Sequence, residues 1–351
     1  MSKTIYIGNR PVGEGYPCFI VAEAGVNHNG DPALAQKLIE SAKECRADAV
    51  KFQKRTVEDI LIKAALEKPY DSPTALAATY GEHRHKLELS KDVWRELKDF
   101  AKEKDIIFFA SAWDKKSADF LDELGTPVFK IASADVTNLP LLEHIAAKKK
   151  PMIMSTGMSS MEETDEAVET VLARNKDLIL MHTVSDYPCD DDRVNLKMIG
   201  VLKQRYGLPV GYSGHETGIA IPVAARALGA VVIEKHFTLD RAMRGPDHAA
   251  SLEPEGLRRV VKYIKVNVEP ALGDGIKKIT ENELKSRAKL AKSIAAKVSI
   301  PKGTVITADM LTIKGPGTHL KPKHLNGLVG KTAQLDILEN TLVPTEALNW
   351  Q

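Results

Sequence analysis

Residues 209–238, PVGYSGHETGIAIPVAARALGAVVIEKHFT, decide the fold. A Val-rich run closes in Ser213 and His215, a small-residue stretch of helical period follows, and a second apolar run, Val231 to Phe237, carries Glu234 and His236. The order is strand, turn, helix, strand. Residues two apart on a strand share a face, so Gly211, Ser213 and His215 point one way, and Glu234 points with His236. Were these strands parallel neighbours, both imidazoles would meet at one end of the sheet. Neutral imidazoles at an open position suit a divalent metal with room left for substrate. Two unrelated strand-end histidines would read the same from this stretch alone.

Working outward, the same unit recurs. Eight short apolar runs lie between residues 18 and 237: CFIVAEAG, DAVKFQ, IIFFASA, VFKIAS, PMIMSTG, LILMHTV, PVGYSG and VVIEKHF. Helical patterns separate them, as in Asp31 to Arg46, where Leu34, Leu38, Ala42 and Cys45 recur with a period near 3.6. Continuous apolar strands alternating with helices imply buried parallel strands joined by right-handed crossovers. Eight such units predict a closed (β/α)8 TIM barrel of α/β class. An open doubly wound sheet is the alternative, but no glycine-rich phosphate fingerprint follows the first strand.

Such barrels do chemistry at the C-terminal ends of their strands. Here those ends are polar: Glu23, Lys51, Gln53, Ser111, Lys130, Ser133, Asp135, Ser155, Thr156, Thr183, Ser185, Ser213, His215, Glu234 and His236. A lysine inside an apolar strand is costly to bury without an anionic partner, which singles out Lys51 and Lys130. The alternative for each is an outward lysine threading between barrel and helix. A single strand-end hydroxyl often does no more than cap the next helix. As a ring, the hydroxyls resemble a phosphate cradle, which the two lysines would complement. Beside a two-histidine metal site, they suit a phosphorylated, carboxylated small substrate and a polarised carbonyl.

Composition bounds the rest. A chain of 351 residues predicts about two domains. Lys plus Arg number 49 against 47 for Asp plus Glu, a balance that argues against nucleic acid and membrane partners. Three scattered cysteines, Cys18, Cys45 and Cys189, with no leader and no apolar stretch long enough to span a bilayer, fit a reduced cytoplasmic protein. The interval from Lys54 to Asp105 is long for a barrel connection and predicts a rim insertion that shapes specificity. From Leu272 the composition turns polar and charged. The reading is a catalytic barrel over 1–272, a partly helical linker over 273–293, and a small domain of little regular structure over 294–351.

The ordered motifs AEAGVNHNGD, KFQK, FKIASAD, STGMS, GYSGHETG, EKHFTLD and GPDHAASLEP cover nearly the whole chain. In them it resembles the sialic acid synthase family, which condenses phosphoenolpyruvate with N-acetylmannosamine or its 6-phosphate to a nine-carbon 2-keto acid. The resemblance implies an antifreeze-like (SAF, β-clip) domain at 294–351 and a divalent metal, Mn2+ or Mg2+, on His215 and His236. It places phosphoenolpyruvate on Lys51, Ser111, Lys130, Ser133, Ser155, Thr183 and Ser213. The sugar falls on Gln53, Ser185, Tyr187 and Asp247, and acid–base roles fall on Glu23 and Asp135. It also implies a domain-swapped homodimer.

Two departures stand out. Where bacterial members often carry an arginine that reaches the partner's sugar, this chain has Gly315 between Lys314 and Pro316, which leaves Lys314 and Lys321 as candidates. The fourth strand ends in Asp135, where bacterial members commonly have Glu, a change shared with animal members. The insertion also resembles animal members, which take the 6-phosphate. On that likeness His83, Arg84, His85 and Lys86 are expected to form a compact basic cluster for it, with Arg84 and Lys86 contacting the sugar phosphate. Other expectations remain open: a synthase of a related nonulosonic acid (KDN, legionaminic or pseudaminic type), a metal-dependent sugar aldolase, or an ice- or carbohydrate-binding protein.

Overall fold

The structure, a computed structural model, describes residues 3–347. Residues 1–2 and 348–351, the outer ends of the two predicted domains, lie outside the described residues. The chain divides after Gly273 into two compact units.

The first unit opens with a short antiparallel hairpin, β1 (Ile5–Ile7) and β2 (Arg10–Val12). Eight parallel strands follow: β3 (Phe19–Gly25), β4 (Ala49–Lys54), β5 (Ile107–Ala112), β6 (Phe129–Ile131), β7 (Met152–Ser155), β8 (Leu178–Thr183), β9 (Val210–Gly214) and β10 (Val232–His236). They close in chain order into a barrel, with β10 pairing β3. Each of the eight apolar runs becomes one strand, and the closed barrel replaces the open-sheet alternative.

Alternation along the strands divides their side chains between two cores. Ala22, Ala24, Val50 and Phe52 face outward into the layer between strands and helices, with Trp94 and Phe108. Phe19, Val21, Ala49, Phe109, Ile153, Ile179 and Val232 face inward, and Ile5, Ile7 and Val12 of the hairpin join them. The lumen is thus filled toward its N-terminal end, and the inward positions nearest the C-terminal end carry Glu23, Lys51, Ser111, Lys130, Ser213, Glu234 and His236. Register holds those positions level: His236 pairs Glu23, Glu23 pairs Lys51, Ser111 pairs Lys130, and Ser213 pairs Glu234.

The crossover helices begin where the sequence supplies caps. Asp31 accepts from the Ala33 amide before helix Pro32–Glu44, Ser90 caps Lys91–Glu103, Asp114 caps Lys115–Glu123, and Ser160 with Glu163 forms a capping box before Met161–Leu172. Each cap contributes about 1 kcal/mol. The β4–β5 interval folds as short helices, Val57–Ile60, Lys63–Leu66 and Tyr80–Lys86, ahead of Lys91–Glu103.

The second unit begins irregularly and includes helix Glu281–Leu290, capped by Thr280. β11 (Ser293–Ala296) pairs antiparallel with β12 (Leu311–Lys314). Isolated bridges complete its framework around a small core of Ile294, Ile300, Ile306, Leu328, Ile337 and Val343. Among the described residues no helix is long and apolar enough to cross a membrane.

Candidate active site

At the C-terminal mouth of the barrel two buried lysines meet two buried carboxylates. Lys51 Nζ lies 2.5 Å from Glu23 Oε2 and 3.5 Å from Glu234 Oε1, and donates to Ser111 Oγ at 3.0 Å. Lys130 Nζ donates to Ser155 Oγ at 2.8 Å and lies 3.7 Å from the same Glu234 oxygen. Ser213 Oγ donates to Glu234 at 3.4 Å, while Glu234 Oε2 is buried with no hydrogen-bond partner. Burial works against the charge on Lys51, but Glu23 and Glu234 outweigh it and hold its pKa above the ordinary value. For Lys130 burial prevails and its pKa falls; Glu234 offsets only part of that, and Lys51 adds a smaller repulsion. Burial also opposes the Glu234 charge, yet Lys130 and Lys51 keep that carboxyl below the usual range. Replacing such a quartet with apolar residues commonly stabilises a protein, so its presence points to chemistry rather than to the fold.

The histidines flank this quartet. His215 Nδ1 is 2.6 Å from the Val184 carbonyl oxygen, which can only accept, so Nδ1 carries the hydrogen and Nε2 keeps its lone pair. Burial first, then the neighbouring His236, lower the His215 pKa to about 3, so the ring is neutral at physiological pH. The two ring centroids are 5.5 Å apart, and the Tyr187 ring stacks 4.0 Å from that of His215. His236 Nδ1 is buried without a hydrogen-bond partner, with Asp247 Oδ2 3.9 Å away. Among the described residues no group of three or more His, Cys, Asp or Glu side chains is placed to hold a metal. A cation here would rest on two imidazoles and take its remaining ligands from water and substrate, the arrangement of an open site.

Two glycines show how tightly the remaining side chains converge. Gly25 sits at φ 54°, and a Cβ there would stand 3.3 Å from Glu23 Oε1, 3.4 Å from Gln53 Nε2 and 3.5 Å from Asp247 Oδ2. At Gly157 a Cβ would meet Ser185 Oγ at 2.4 Å and Ser133 Oγ at 2.8 Å. The structure therefore brings Gln53 and Asp247 to Glu23, sets Tyr187 on His215, and brings Ser133 and Ser185 together at Gly157. Thr183 Oγ1 reaches the Met181 carbonyl at 3.5 Å and stays at the barrel mouth. Thr156 turns its hydroxyl onto that carbonyl at 3.0 Å, so it adds little to the predicted ring.

Asp135 lines a hollow of about 640 Å3 with Arg55, Arg84, Trp113 and Asn138. One expectation needs correction: the basic quartet does not converge, because successive positions on helix Tyr80–Lys86 point in different directions. His83 is buried and its Nδ1 accepts from the Leu76 amide, His85 pairs with Glu58 at 3.1 Å, and Lys86 donates to the Leu76 carbonyl at 2.8 Å. Of the four, Arg84 alone lines the hollow. In the second unit Lys314 is exposed and bonded to Asn340, and Lys321 precedes the short turn Pro322–His324. Glu234 is a strand-end acid to which the sequence attaches no role, and Arg55 carries no signal there beyond being a cation directly after KFQK.

The NeuB family profile matches residues 38–277, and the SAF domain profile matches 291–349. The chain belongs to the NeuB family. Its relatives include human N-acetylneuraminate-9-phosphate synthase, 44% identical over 342 residues that cover 97% of this chain and 95% of that protein. N,N'-diacetyllegionaminic acid synthase of Legionella pneumophila is 40% identical over 340 residues, 95% of each. Among solved structures, N-acetylneuraminic acid (sialic acid) synthetase from Leptospira borgpetersenii serovar Hardjo-bovis, in complex with citrate, superposes with a TM-score of 0.73 at 35% identity. That match covers 82% of this chain and 95% of the other. NeuB membership thus agrees with a barrel whose mouth gathers cations, hydroxyls and paired imidazoles.

Proposed function

We propose that this NeuB-family chain condenses phosphoenolpyruvate with the open-chain aldehyde of N-acetylmannosamine 6-phosphate and water, giving N-acetylneuraminate 9-phosphate and inorganic phosphate. The observation that carries the reading is the pair of buried ammonium groups, Lys51 and Lys130, sharing Glu234 at 3.5 and 3.7 Å. Together with Ser111, Ser155 and Ser213 they form a cationic, hydroxyl-lined cradle for a carboxylate and a phosphate on one small molecule. Held there, the enol phosphate is oriented with its methylene carbon toward the acceptor.

Gln53, Ser185, Tyr187 and Asp247 position the sugar. A divalent cation, Mn2+ or Mg2+, on His215 Nε2 and His236 would supply Lewis acidity toward the aldehyde oxygen. Bond formation between the methylene carbon and the aldehyde carbon leaves positive character on the enol carbon. Glu23, fixed by Lys51 and by Gln53 Nε2 at 3.0 Å, orients and deprotonates the water that adds there. The bond between that carbon and the phosphate oxygen then breaks, leaving the 2-keto acid.

All three cysteines are buried and unpaired, which suits the reducing cytoplasm in which we place the reaction. The reading includes a homodimer. Ile276, Ile279, Leu284 and Leu290 are 63, 50, 52 and 67% exposed and would find cover in a second copy; a monomer by sedimentation at micromolar concentration would count against it. The Legionella relative favours a second acceptor, the sugar that yields N,N'-diacetyllegionaminic acid. Assaying inorganic phosphate with phosphoenolpyruvate, and condensation with pyruvate in its place, separates the synthase from an aldolase: the synthase releases phosphate and ignores pyruvate.

A further inference from the structure

The rim hollow of about 640 Å3 holds two guanidinium groups. Arg55 follows directly on β4 and is only 3% exposed, yet no carboxylate is its own. Its guanidinium stacks 4.7 Å over Trp113, bonds to Gln53 Oε1, and lies 3.5 Å from Glu88 Oε1. Glu88 is shared with Lys54 at 3.0 Å. Arg84 is held by the Tyr80 hydroxyl, with its guanidinium 4.8 Å over that ring, and among the described residues it makes no ion pair with a carboxylate. The two arginines are near enough that, after burial itself, the charge of Arg84 is what most depresses the pKa of Arg55.

The acids around the hollow do not neutralise this pair. Asp114 is spent on the Thr56 and Ser117 amides and the Ser117 hydroxyl, at 2.6, 2.8 and 2.6 Å. Asp59 pairs with Lys116 at 2.8 Å. Asp135 accepts from Asn138 at 3.1 Å and makes no ion pair with either arginine, and the Glu88 and Asp247 charges act on Arg55 less than burial and Arg84 do. Two like charges held rigidly by aromatic rings across an open hollow are unfavourable until an anion joins them.

The hollow connects with the reaction centre through one side chain. Gln53 donates to Glu23 with its amide nitrogen and accepts from Arg55 with its oxygen. Four residues of strand separate Lys51 from Arg55, about 13 Å between α-carbons. An open six-carbon chain ending in a phosphate spans about 9 Å, and an arginine side chain covers the difference.

We propose that Arg55 and Arg84 form the subsite for a terminal phosphate monoester on the acceptor, and that this pair sets the preference for phosphorylated over free sugar. The proposal rests on the reading of the barrel mouth as an N-acetylmannosamine-type acceptor site. Each guanidinium fork donates to phosphate oxygens, and the aromatic stacking keeps both forks in place before the sugar arrives.

The test compares kcat/KM for N-acetylmannosamine 6-phosphate and N-acetylmannosamine in wild type, Arg84→Gln, Arg84→Lys and Lys86→Ala. Alongside it, binding of the sugar phosphate without phosphoenolpyruvate is measured by calorimetry. Arg84→Gln should cut the phosphate-over-free preference about tenfold to a hundredfold, Arg84→Lys should restore part of it, and Lys86→Ala should leave it within about twofold. Arg55→Lys, which keeps the charge and loses the fork, should lower the same ratio. An unchanged ratio in Arg84→Gln overturns the subsite. If wild type binds the sugar phosphate in an Arg84-dependent way but releases no phosphate from phosphoenolpyruvate, the subsite stands and the condensation reading falls.

Discussion

Lys51 Nζ and Glu23 Oε2 stand 2.5 Å apart at the mouth of the barrel, each side chain only 2% exposed. In the proposed reaction the pair would link the cradle for phosphoenolpyruvate to the carboxylate that handles water, so its two members should fail differently. Lys51→Met leaves Glu23 and Glu234 buried without their nearest cation and should destabilise the protein by about 3–5 kcal/mol while raising the phosphoenolpyruvate KM. Glu23→Gln keeps the hydrogen bond to Gln53 and the shape of the site. It should lower kcat about a hundredfold or more with little change in that KM. Steady-state kinetics and urea denaturation of both variants check the division; equal effects on KM would contradict it.

Asp135 predicts a pH signature in stability. Its folded pKa, about 6 against an ordinary 3.8, means that the folded state favours the protonated acid. The associated stability is complete below about pH 3.8 and is lost as pH rises through 6, a cost of about 3 kcal/mol at pH 8. Asp135→Asn removes the ionisation and can still accept from Asn138. The variant should exceed wild type in stability at pH 8 by up to that amount, and the gap should close toward pH 4 in urea melts. A gap independent of pH would mean that the carboxyl is not neutral when folded at low pH.

The paired imidazoles predict metal dependence without a structural role for the metal. Chelation should abolish turnover and Mn2+ or Mg2+ should restore it. His215→Ala should lose Mn2+ binding, measured by electron paramagnetic resonance, with a melting temperature within a few degrees of wild type, since open-site ligands contribute more to chemistry than to the core. Full activity after exhaustive chelation would contradict the assignment.

The barrel was legible because eight continuous apolar runs alternate with helical patterns, and a buried parallel strand can hardly read otherwise. Lys51, Lys130, His215 and His236 were legible for a related reason: charged or imidazole side chains at the ends of such strands conflict with burial unless they have a task. The basic run 83–86 misled because four adjacent helical residues cannot share a face. Arg55 was missed because its environment comes from Trp113, Glu88 and Arg84, which sequence alone does not bring together.

The central claim is that the three carbons of phosphoenolpyruvate enter the product while its phosphate leaves. Incubating the protein with uniformly 13C-labelled phosphoenolpyruvate, N-acetylmannosamine 6-phosphate and Mn2+, and taking the product mass, tests this most directly. The predicted result is a sugar acid heavier by all three labelled carbons, still carrying the acceptor's phosphate, with one inorganic phosphate released per product. Phosphate released without labelled carbon in any sugar product, or no consumption of phosphoenolpyruvate with any mannose-type acceptor, would contradict it.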